Sequence, residues 1–131
     1  MSIQHDSPAV AVARAHVEAW SNHDFDAARA RLADAVKVDV TSTNGTMPET
    51  RSTGIDDYMN GLTAFGQAVV PGSARVIASI GDERNALLMV SVKATFGPDS
   101  PELTLPAARL YLLDEDARIE AEQVIFFAAS G

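Results

Sequence analysis

The sequence predicts an α+β fold in which three helices from the N-terminal half pack on a curved antiparallel sheet. Apolar residues first recur at helical spacing, and later occur in strand-length runs separated by polar turns. The last two runs, 103–113 and 118–127, flank the acidic turn 114–117 and form a predicted hairpin. We therefore expect a single domain over residues 9–131, preceded by a flexible tail at residues 1–8.

Length and composition restrict the class of protein. The 131 residues suffice for one hydrophobic core, and 47% apolar with 21% charged residues is typical of globular proteins. A net charge of −8 argues against binding to nucleic acid or to an anionic membrane surface. Without cysteine, disulfides, thiolate catalysis and thiolate metal sites are excluded. The start lacks signal-peptide features and no apolar run has membrane-spanning length, so we expect a cytoplasmic protein.

Two helices are predicted at the beginning of the chain. Ser7 and Pro8 suit the cap and first position of an Ala-rich helix over residues 9–21. The polar turn that follows ends in Asp24, which can cap a second helix over residues 25–33. Both helices precede the predicted sheet.

The middle of the chain alternates between strand and helix. Residues 36–41 alternate valine with polar residues and predict a first strand, whereas the polar segment 42–53 predicts a long loop. A third helix is expected over residues 54–69, where Gly61 and Gly66 each weaken it by about 1 kcal/mol relative to Ala, so packing must supply its stability. The strands predicted after this helix cover residues 74–80, 86–96, 103–113 and 118–127.

The predicted hairpin brings together the most distinctive side chains of the sequence. With a turn of Asp-Glu-Asp-Ala, Arg109 lies opposite Glu122. Tyr111 then lies opposite Glu120, and the four side chains share one face, while the other face is more continuously aliphatic. A carboxylate beside arginine in apolar surroundings can work as general acid or base. On an outer sheet face, the same pair would be a structural ion pair worth well under about 1 kcal/mol.

Several segments resemble a known superfamily. Residues 15–26 (Ala-His-Val-Glu-Ala-Trp-Ser-Asn-His-Asp-Phe-Asp) are similar to the end of its first helix and the turn that follows. Residues 32–39, residues 54–58 and the hairpin at residues 110–126 are similar to its later segments. On these motifs, and over about residues 9–128, the chain resembles the nuclear transport factor 2-like superfamily, in particular its SnoaL-like and ketosteroid-isomerase-like branch.

This resemblance implies a cone-shaped roll of the cystatin-like kind, with a pocket between helices and sheet and a homodimer formed through the sheet. It implies no single activity, because the superfamily includes isomerases, polyketide cyclases, dehydratases, epoxide hydrolases and non-catalytic binding modules. At the positions where ketosteroid isomerase has its functional residues, this chain has His16, Val40 and Arg109 instead. The ketosteroid isomerase mechanism is therefore not expected. The epoxide hydrolase branch uses an arginine with two carboxylates. Arg109 matches the arginine, and Glu122 matches one of the two carboxylates.

We predict a cofactor-independent enzyme that acts on a hydrophobic carbonyl or polyketide-like compound. Glu122 would transfer the proton, Arg109 would orient it or stabilise oxyanion charge, and His16 would assist. A further carboxylate, Asp39, alternates with the valines of its strand and is expected to face solvent. The residues expected to contact substrate are Trp20, Val40, Tyr58, Met59, Phe65 and Tyr111.

The alternative prediction is a non-catalytic module of the same fold that binds a small ligand or mediates dimerisation. In that case the Arg109–Glu122 pair is structural, and His16 is hydrogen-bonded at the edge of the core. Scattered histidines without a His-x-x-x-His spacing, and the lack of a nucleotide motif, predict neither a metal site nor a cofactor. The side chains that would fill the cavity of such a module are Trp20, Met59, Phe65 and Phe126.

Overall fold

A computed structural model describes residues 6–43, 45 and 47–130 of the chain. Residues 1–5 of the predicted tail and Gly131 lie outside the described residues. The predicted α+β fold class is confirmed. The elements in chain order are α1 (Pro8–Ser21), α2 (Phe25–Arg29), β1 (Leu32–Ser42), β2 (Thr50–Thr53), α3 (Ile55–Ala68), β3 (Arg75–Gly81), β4 (Asn85–Ala94), β5 (Leu103–Leu113) and β6 (Ile119–Phe126).

Both helix caps expected from the sequence are present. The side chain of Ser7 accepts a hydrogen bond from the backbone N–H of Val10 at 3.3 Å, and Pro8 is the first residue of α1. The side chain of Asp24 accepts from the N–H of Ala27 at 3.2 Å and caps α2. These contacts satisfy N–H groups that a helix leaves without a partner at its N-terminus.

Most element bounds differ from the prediction by one or two residues, and the first strand begins at Leu32 instead of residue 36. The largest differences are at the second helix and in the predicted loop. The second helix ends at Arg29 instead of continuing to residue 33, because the chain turns into β1, where the buried Leu32 already pairs with Ile119. Part of the predicted loop 42–53 is the short strand β2, which pairs with β1 at the edge of the sheet. Its sequence Thr-Arg-Ser-Thr has no apolar alternation, so the period-2 signal of a strand was missing.

The strands form a six-stranded sheet in the order β2-β1-β6-β5-β4-β3. Neighbouring strands are antiparallel except for β1 and β6, which run parallel; β6 lies between β1 and its hairpin partner β5. Helix α1 packs on β3, β4 and β5, and α3 packs on β1 and β2, so the core lies between helices and sheet. No helix in the described part of the chain is long and apolar enough to cross a membrane.

The register of the β5–β6 hairpin differs from the predicted one. Arg109 pairs with Val124 and Tyr111 pairs with Glu122, so the predicted pairs Arg109–Glu122 and Tyr111–Glu120 are wrong. A bulge near the turn leaves Glu120 without an opposed residue, which reverses the alternation beyond it. The side chain of Glu120 is therefore half-exposed instead of sharing the face of Arg109, whereas Tyr111 and Glu122 are buried.

The two glycines of α3 lie in different surroundings. A Cβ built on Gly66 would lie 2.6 Å from a ring carbon of Phe25, so this glycine permits close packing of α2 on α3. A Cβ built on Gly61 would meet no atom within 4 Å. The packing that was expected to compensate for the low helix propensity of glycine is therefore found at Gly66.

Candidate functional site

A cavity of about 290 Å³ lies between α3, strands β1 and β2, and the hairpin of β5 and β6. Its polar wall includes Arg109, Glu122 and the Tyr58 side chain, while most of the surrounding surface is apolar. A mostly apolar cavity with a few convergent polar groups is the usual form of a small-molecule site. The apolar residues that line it include Val38, Val40, Leu62, Phe65, Val124 and Phe126.

The residues predicted for the site fall into two groups. The functional roles assigned to both groups stay predictions. Those at the cavity wall are Val40, Tyr58, Phe65, Arg109 and Glu122. Those buried in the core without being part of this wall are His16, Trp20, Met59 and Tyr111.

The Arg109–Glu122 pair lies in the interior of the protein. Arg109 is 4% exposed and Glu122 is 5% exposed, which excludes the outer sheet face considered from the sequence. Nη1 of Arg109 lies 3.8 Å from Oε2 of Glu122, a distance too long for a hydrogen bond. Within the described residues, Nε of Arg109 and Oε2 of Glu122 have no hydrogen-bond partner. The pair thus keeps unused hydrogen-bonding capacity at the wall of the cavity.

Aromatic side chains surround the guanidinium group of Arg109. Its Cζ lies 4.8 Å from the ring centroid of Trp20, 5.7 Å from that of Phe126 and 6.0 Å from that of Phe65. Rings at these distances attract a cation, and more strongly in a dry environment. Trp20, predicted as a substrate contact, therefore supports Arg109 from behind the cavity wall.

A chain of hydrogen bonds connects the core to the cavity. Nδ1 of His16 on α1 lies 3.0 Å from the carbonyl oxygen of Ala28, and Nε2 lies 3.0 Å from the hydroxyl of Tyr58 on α3. The Tyr58 hydroxyl lies 2.6 Å from Oε1 of Glu122 on β6. Among the described residues, His16 is therefore joined by hydrogen bonds to the cavity wall through Tyr58, and through Tyr58 to Glu122.

Burial governs the acid–base properties of these groups. It lowers the pKa of His16 from its ordinary value of 6.5, while the nearby Glu122 opposes this shift. Burial, followed by the negative charge of Glu122, raises the pKa of Tyr58 and of Tyr111 well above 10.0. Both phenols therefore keep their protons at neutral pH and serve as hydrogen-bond donors or acceptors.

Two carboxylates considered from the sequence lie away from the cavity. Asp39 pairs with Arg51 at 3.1 Å and is half-exposed, as the alternation of its strand predicted. Glu120 contacts Arg84 at 3.4 Å. Neither supplies a second carboxylate beside Arg109. Across the described ranges, no group of three or more His, Asp or Glu side chains is placed to hold a metal ion.

Sequence reasoning missed two features of the site. Tyr58 was predicted only as a substrate contact, and its hydroxyl also joins His16 to Glu122. Ser52 lines the cavity, and its buried hydroxyl has no hydrogen-bond partner among the described residues. The signal for Tyr58 was a single hydroxyl in the apolar stripe of α3, whereas the polar segment that contains Ser52 gave none.

The chain is similar in sequence to one domain family. The family model described as a SnoaL-like domain matches residues 13–122. No curated protein matches the sequence.

The fold is shared with several solved structures. A protein from Kribbella flavida is 26% identical, with a match that covers 92% of this chain and 88% of that protein at a TM-score of 0.72. An LEH-like epoxide hydrolase from Mycobacterium tuberculosis is 19% identical over 91% of this chain and 82% of its own, with a TM-score of 0.69. Another M. tuberculosis protein, solved in complex with estradiol-17β-hemisuccinate, is 12% identical over 91% and 93% of the two chains, with a TM-score of 0.71.

Proposed function

The chain belongs to the SnoaL-like domain family of the nuclear transport factor 2-like superfamily, and we propose that it is a cofactor-independent enzyme for a small hydrophobic molecule. Its reaction would be of the isomerase, cyclase, dehydratase or hydrolase type, on a carbonyl or polyketide-like substrate. The observation that carries this proposal is the buried Glu122 carboxyl beside Arg109 at the wall of an apolar cavity. A purely structural ion pair needs no such cavity.

In this proposal, Glu122 transfers a proton at the substrate. Its Oε2 lacks a hydrogen-bond partner among the described residues and is therefore available to a bound ligand. The guanidinium of Arg109 stabilises the oxygen that gains negative charge, and the loss of one such donor costs about 10²–10³ in rate in other enzymes. The surrounding rings of Trp20, Phe65 and Phe126 keep this charge in place and exclude water.

The size and lining of the cavity support a small apolar substrate. Its volume of about 290 Å³ lies at the lower end of the range for small-molecule pockets, about 300–1,000 Å³. The M. tuberculosis protein of the same fold that was solved with estradiol-17β-hemisuccinate also holds a hydrophobic ligand. Ser52 adds a polar group for a substrate oxygen at the edge of the sheet.

The geometry disfavours one reaction of this group. Epoxide hydrolysis by an arginine with two carboxylates requires a second acid beside Arg109. Asp39 and Glu120 both point away from the cavity, and Asp57 of α3, which also lines the cavity, is exposed to solvent, unlike the buried Glu122. The residue paired with Glu122 on the neighbouring strand is Tyr111, a neutral phenol. We therefore favour proton transfer at a carbonyl compound over epoxide hydrolysis as the reaction of this site.

A second candidate function is the non-catalytic binding or dimerisation module. The observation in its favour is the outer face of the sheet, where Ile80 is 70% exposed and Leu110 is 39% exposed. A homodimer through this face is compatible with either function, because it leaves the cavity on the opposite side. We expect this dimer in the cytoplasm.

The proposal is tested with a thermal-shift screen of hydrophobic ketones, lactones and epoxides. A ligand at ten times its Kd stabilises the folded protein by about 1.4 kcal/mol. The screen is run on the wild type, on Glu122→Gln, and on Glu120→Gln as a matched control with an exposed carboxylate. We expect compounds that shift the wild type and Glu120→Gln but shift Glu122→Gln less. A complete lack of hits, with Glu122→Gln as stable as the wild type, would contradict the proposal.

A further inference from the structure

The short edge strand β2 places a serine in the wall of the cavity. Ser52 is partly buried, whereas its neighbours Arg51 and Thr53 are exposed. Arg51 pairs with the half-exposed Asp39 at 3.1 Å, on the side of the sheet away from the cavity. Because successive side chains of a strand point to opposite faces, Ser52 points toward the cavity, which it lines.

Ser52 lies in the same row of the sheet as Glu122. Val38 of β1 pairs with Ser52 on one side and with Glu122 on the other. Directly paired residues of neighbouring strands share a face, and all three of these residues line the cavity. Neighbouring strands lie about 4.7–4.9 Å apart, which places the Cα atoms of Ser52 and Glu122 about 9–10 Å from each other. The row therefore has a polar group at each end and a valine between them.

The hydroxyl of Ser52 is buried without a hydrogen bond. Its Oγ has no partner among the described residues, like Oε2 of Glu122 and Nε of Arg109. Buried polar groups in native proteins are nearly always hydrogen-bonded, because a group that leaves water without gaining a partner costs free energy. For groups in a cavity wall, a bound ligand that supplies the partner is a physical explanation. Both ends of the row thus have unused hydrogen-bonding capacity.

The Ser52 end of the cavity suits a neutral oxygen. A serine hydroxyl can donate one hydrogen bond and can also accept, so it can bind either a hydroxyl or a keto oxygen. It carries no positive charge that would attract a carboxylate or a phosphate. The carboxylate of Asp57, which also lines the cavity and is exposed, would repel an anion.

We propose that the site takes a carbonyl compound with a second, neutral oxygen function, and that Ser52 is the residue that selects this class. The reacting carbonyl lies at Arg109 and Glu122, and the second oxygen, a hydroxyl or keto group, hydrogen-bonds to Ser52. Each hydrogen bond of about 2.8 Å brings a ligand oxygen toward the middle of the cavity, so the hydrocarbon between the two oxygens is no longer than a small ring. The inference rests on the proposed function for the end at Glu122, and it adds the class of substrate.

Two anchored ends restrict the orientation of the substrate. A ligand bound at Arg109 alone can turn about that contact, because the rest of the wall is mostly apolar. A second hydrogen bond at Ser52 removes this freedom and holds the carbonyl toward Glu122, and such positioning accelerates a reaction. Ser52 meets no reacting atom, so its loss should weaken the binding of oxygenated ketones and leave plain ketones unchanged.

The test compares two probes, para-hydroxyacetophenone and para-methylacetophenone, which differ in the group that would meet Ser52. Isothermal titration calorimetry measures their Kd values with the wild type, Ser52→Ala and the control Thr53→Ala, which removes an exposed hydroxyl from the same strand. The wild type and Thr53→Ala should bind the hydroxyl probe up to about tenfold more tightly, the factor that one neutral hydrogen bond contributes. Ser52→Ala should lose this preference. A preference that persists in Ser52→Ala, or a wild type that does not distinguish the two probes, would overturn the proposal.

A second measurement separates ligand recognition from a structural role of the hydroxyl. Without ligand, Ser52→Ala should be at least as stable as the wild type in urea unfolding, because it removes a buried hydroxyl that has no partner in the described part of the chain. A loss of stability would show that the hydroxyl supports the fold instead of waiting for a ligand.

Failure of this inference is distinguishable from failure of the enzymatic function. If ketones without a second oxygen bind as tightly as oxygenated ones, and their binding depends on Glu122 but not on Ser52, the proposed function stands and the substrate class is wrong. If no ketone of the ligand screen depends on Glu122, the proposed function itself is contradicted.

Discussion

The hydroxyl of Tyr58 lies 2.6 Å from Oε1 of Glu122 and joins helix α3 to strand β6 at the wall of the cavity. His16 extends this contact into the core from helix α1. One hydroxyl therefore connects the candidate acid–base residue to both long helices. Removing the Tyr58 hydroxyl is therefore the most specific way to disturb the contacts that hold Glu122 in the site.

Tyr58→Phe should destabilise the protein by about 1–3 kcal/mol, because two buried polar groups lose a hydrogen-bond partner. Tyr111→Phe is the matched control, since Tyr111 is also buried and its hydroxyl interacts with Glu122 and Arg109, but without the short hydrogen bond that the Tyr58 hydroxyl makes. Urea unfolding of both variants measures the difference. Equal losses of stability in the two variants would show that the hydroxyl of Tyr58 has no special structural role.

The two tyrosines of the chain, Tyr58 and Tyr111, should ionise only when the protein unfolds. Their pKa values are raised well above 10.0 in the folded state by burial and by Glu122, whereas in the unfolded chain they ionise near pH 10. Above that pH the unfolded state releases protons that the folded state keeps. The stabilising contribution is thus fully present below about pH 10 and decreases as the pH rises further.

This expectation is measured by following tyrosinate absorbance and circular dichroism together during an alkaline titration. The two signals should change in one transition. Tyrosinate absorbance that appears while the fold is intact would show that at least one phenol is accessible to solvent.

Gly61→Ala and Gly66→Ala should change stability in opposite directions. Gly61→Ala should stabilise α3 by up to about 1 kcal/mol, because the added methyl group meets open space and Ala favours the helix. Gly66→Ala should destabilise the protein, because its Cβ would lie 2.6 Å from the ring of Phe25. Thermal unfolding compares the two variants, and a gain of stability in Gly66→Ala would argue against this packing of α2 on α3.

The outer face of the sheet should mediate a homodimer. The double variant Ile80→Glu and Leu110→Glu adds charge to two exposed apolar positions and should convert a wild-type dimer into a monomer in sedimentation velocity. Ala11→Glu, at an exposed position of α1, adds the same charge on another surface and should leave the dimer intact. A monomeric wild type would contradict dimerisation through the sheet.

The sequence could predict most of the fold, because its apolar periodicity is clear. Strand β5 has the predicted bounds Leu103–Leu113, and Ser7 and Asp24 cap their helices as expected. The hairpin register was wrong by two residues. The turn is one residue longer than predicted, because Leu113 pairs with Ile119 instead of residue 118, and a β-bulge at Glu120 adds the second residue; alternation alone reveals neither. The strand β2 escaped prediction because all of its residues are polar.

The candidate site was only partly predictable for a related reason. Arg109 and Glu122 were brought together by reasoning on a single hairpin, and their proximity survives the change of register because Tyr111 pairs with Glu122 on the same face. The link from His16 through Tyr58 depends on how α1 and α3 pack against the sheet. Sequence spacing within one element carries no information on such a contact between elements.

The central claim is that Glu122 transfers a proton in the cavity, and the most direct measurement is the turnover rate of a compound found in the ligand screen. Proton transfer by a positioned side chain contributes about 10²–10⁴-fold. We therefore predict a loss of that size in Glu122→Gln and a rate close to that of the wild type in Glu120→Gln. Equal rates in the wild type and Glu122→Gln would contradict the claim.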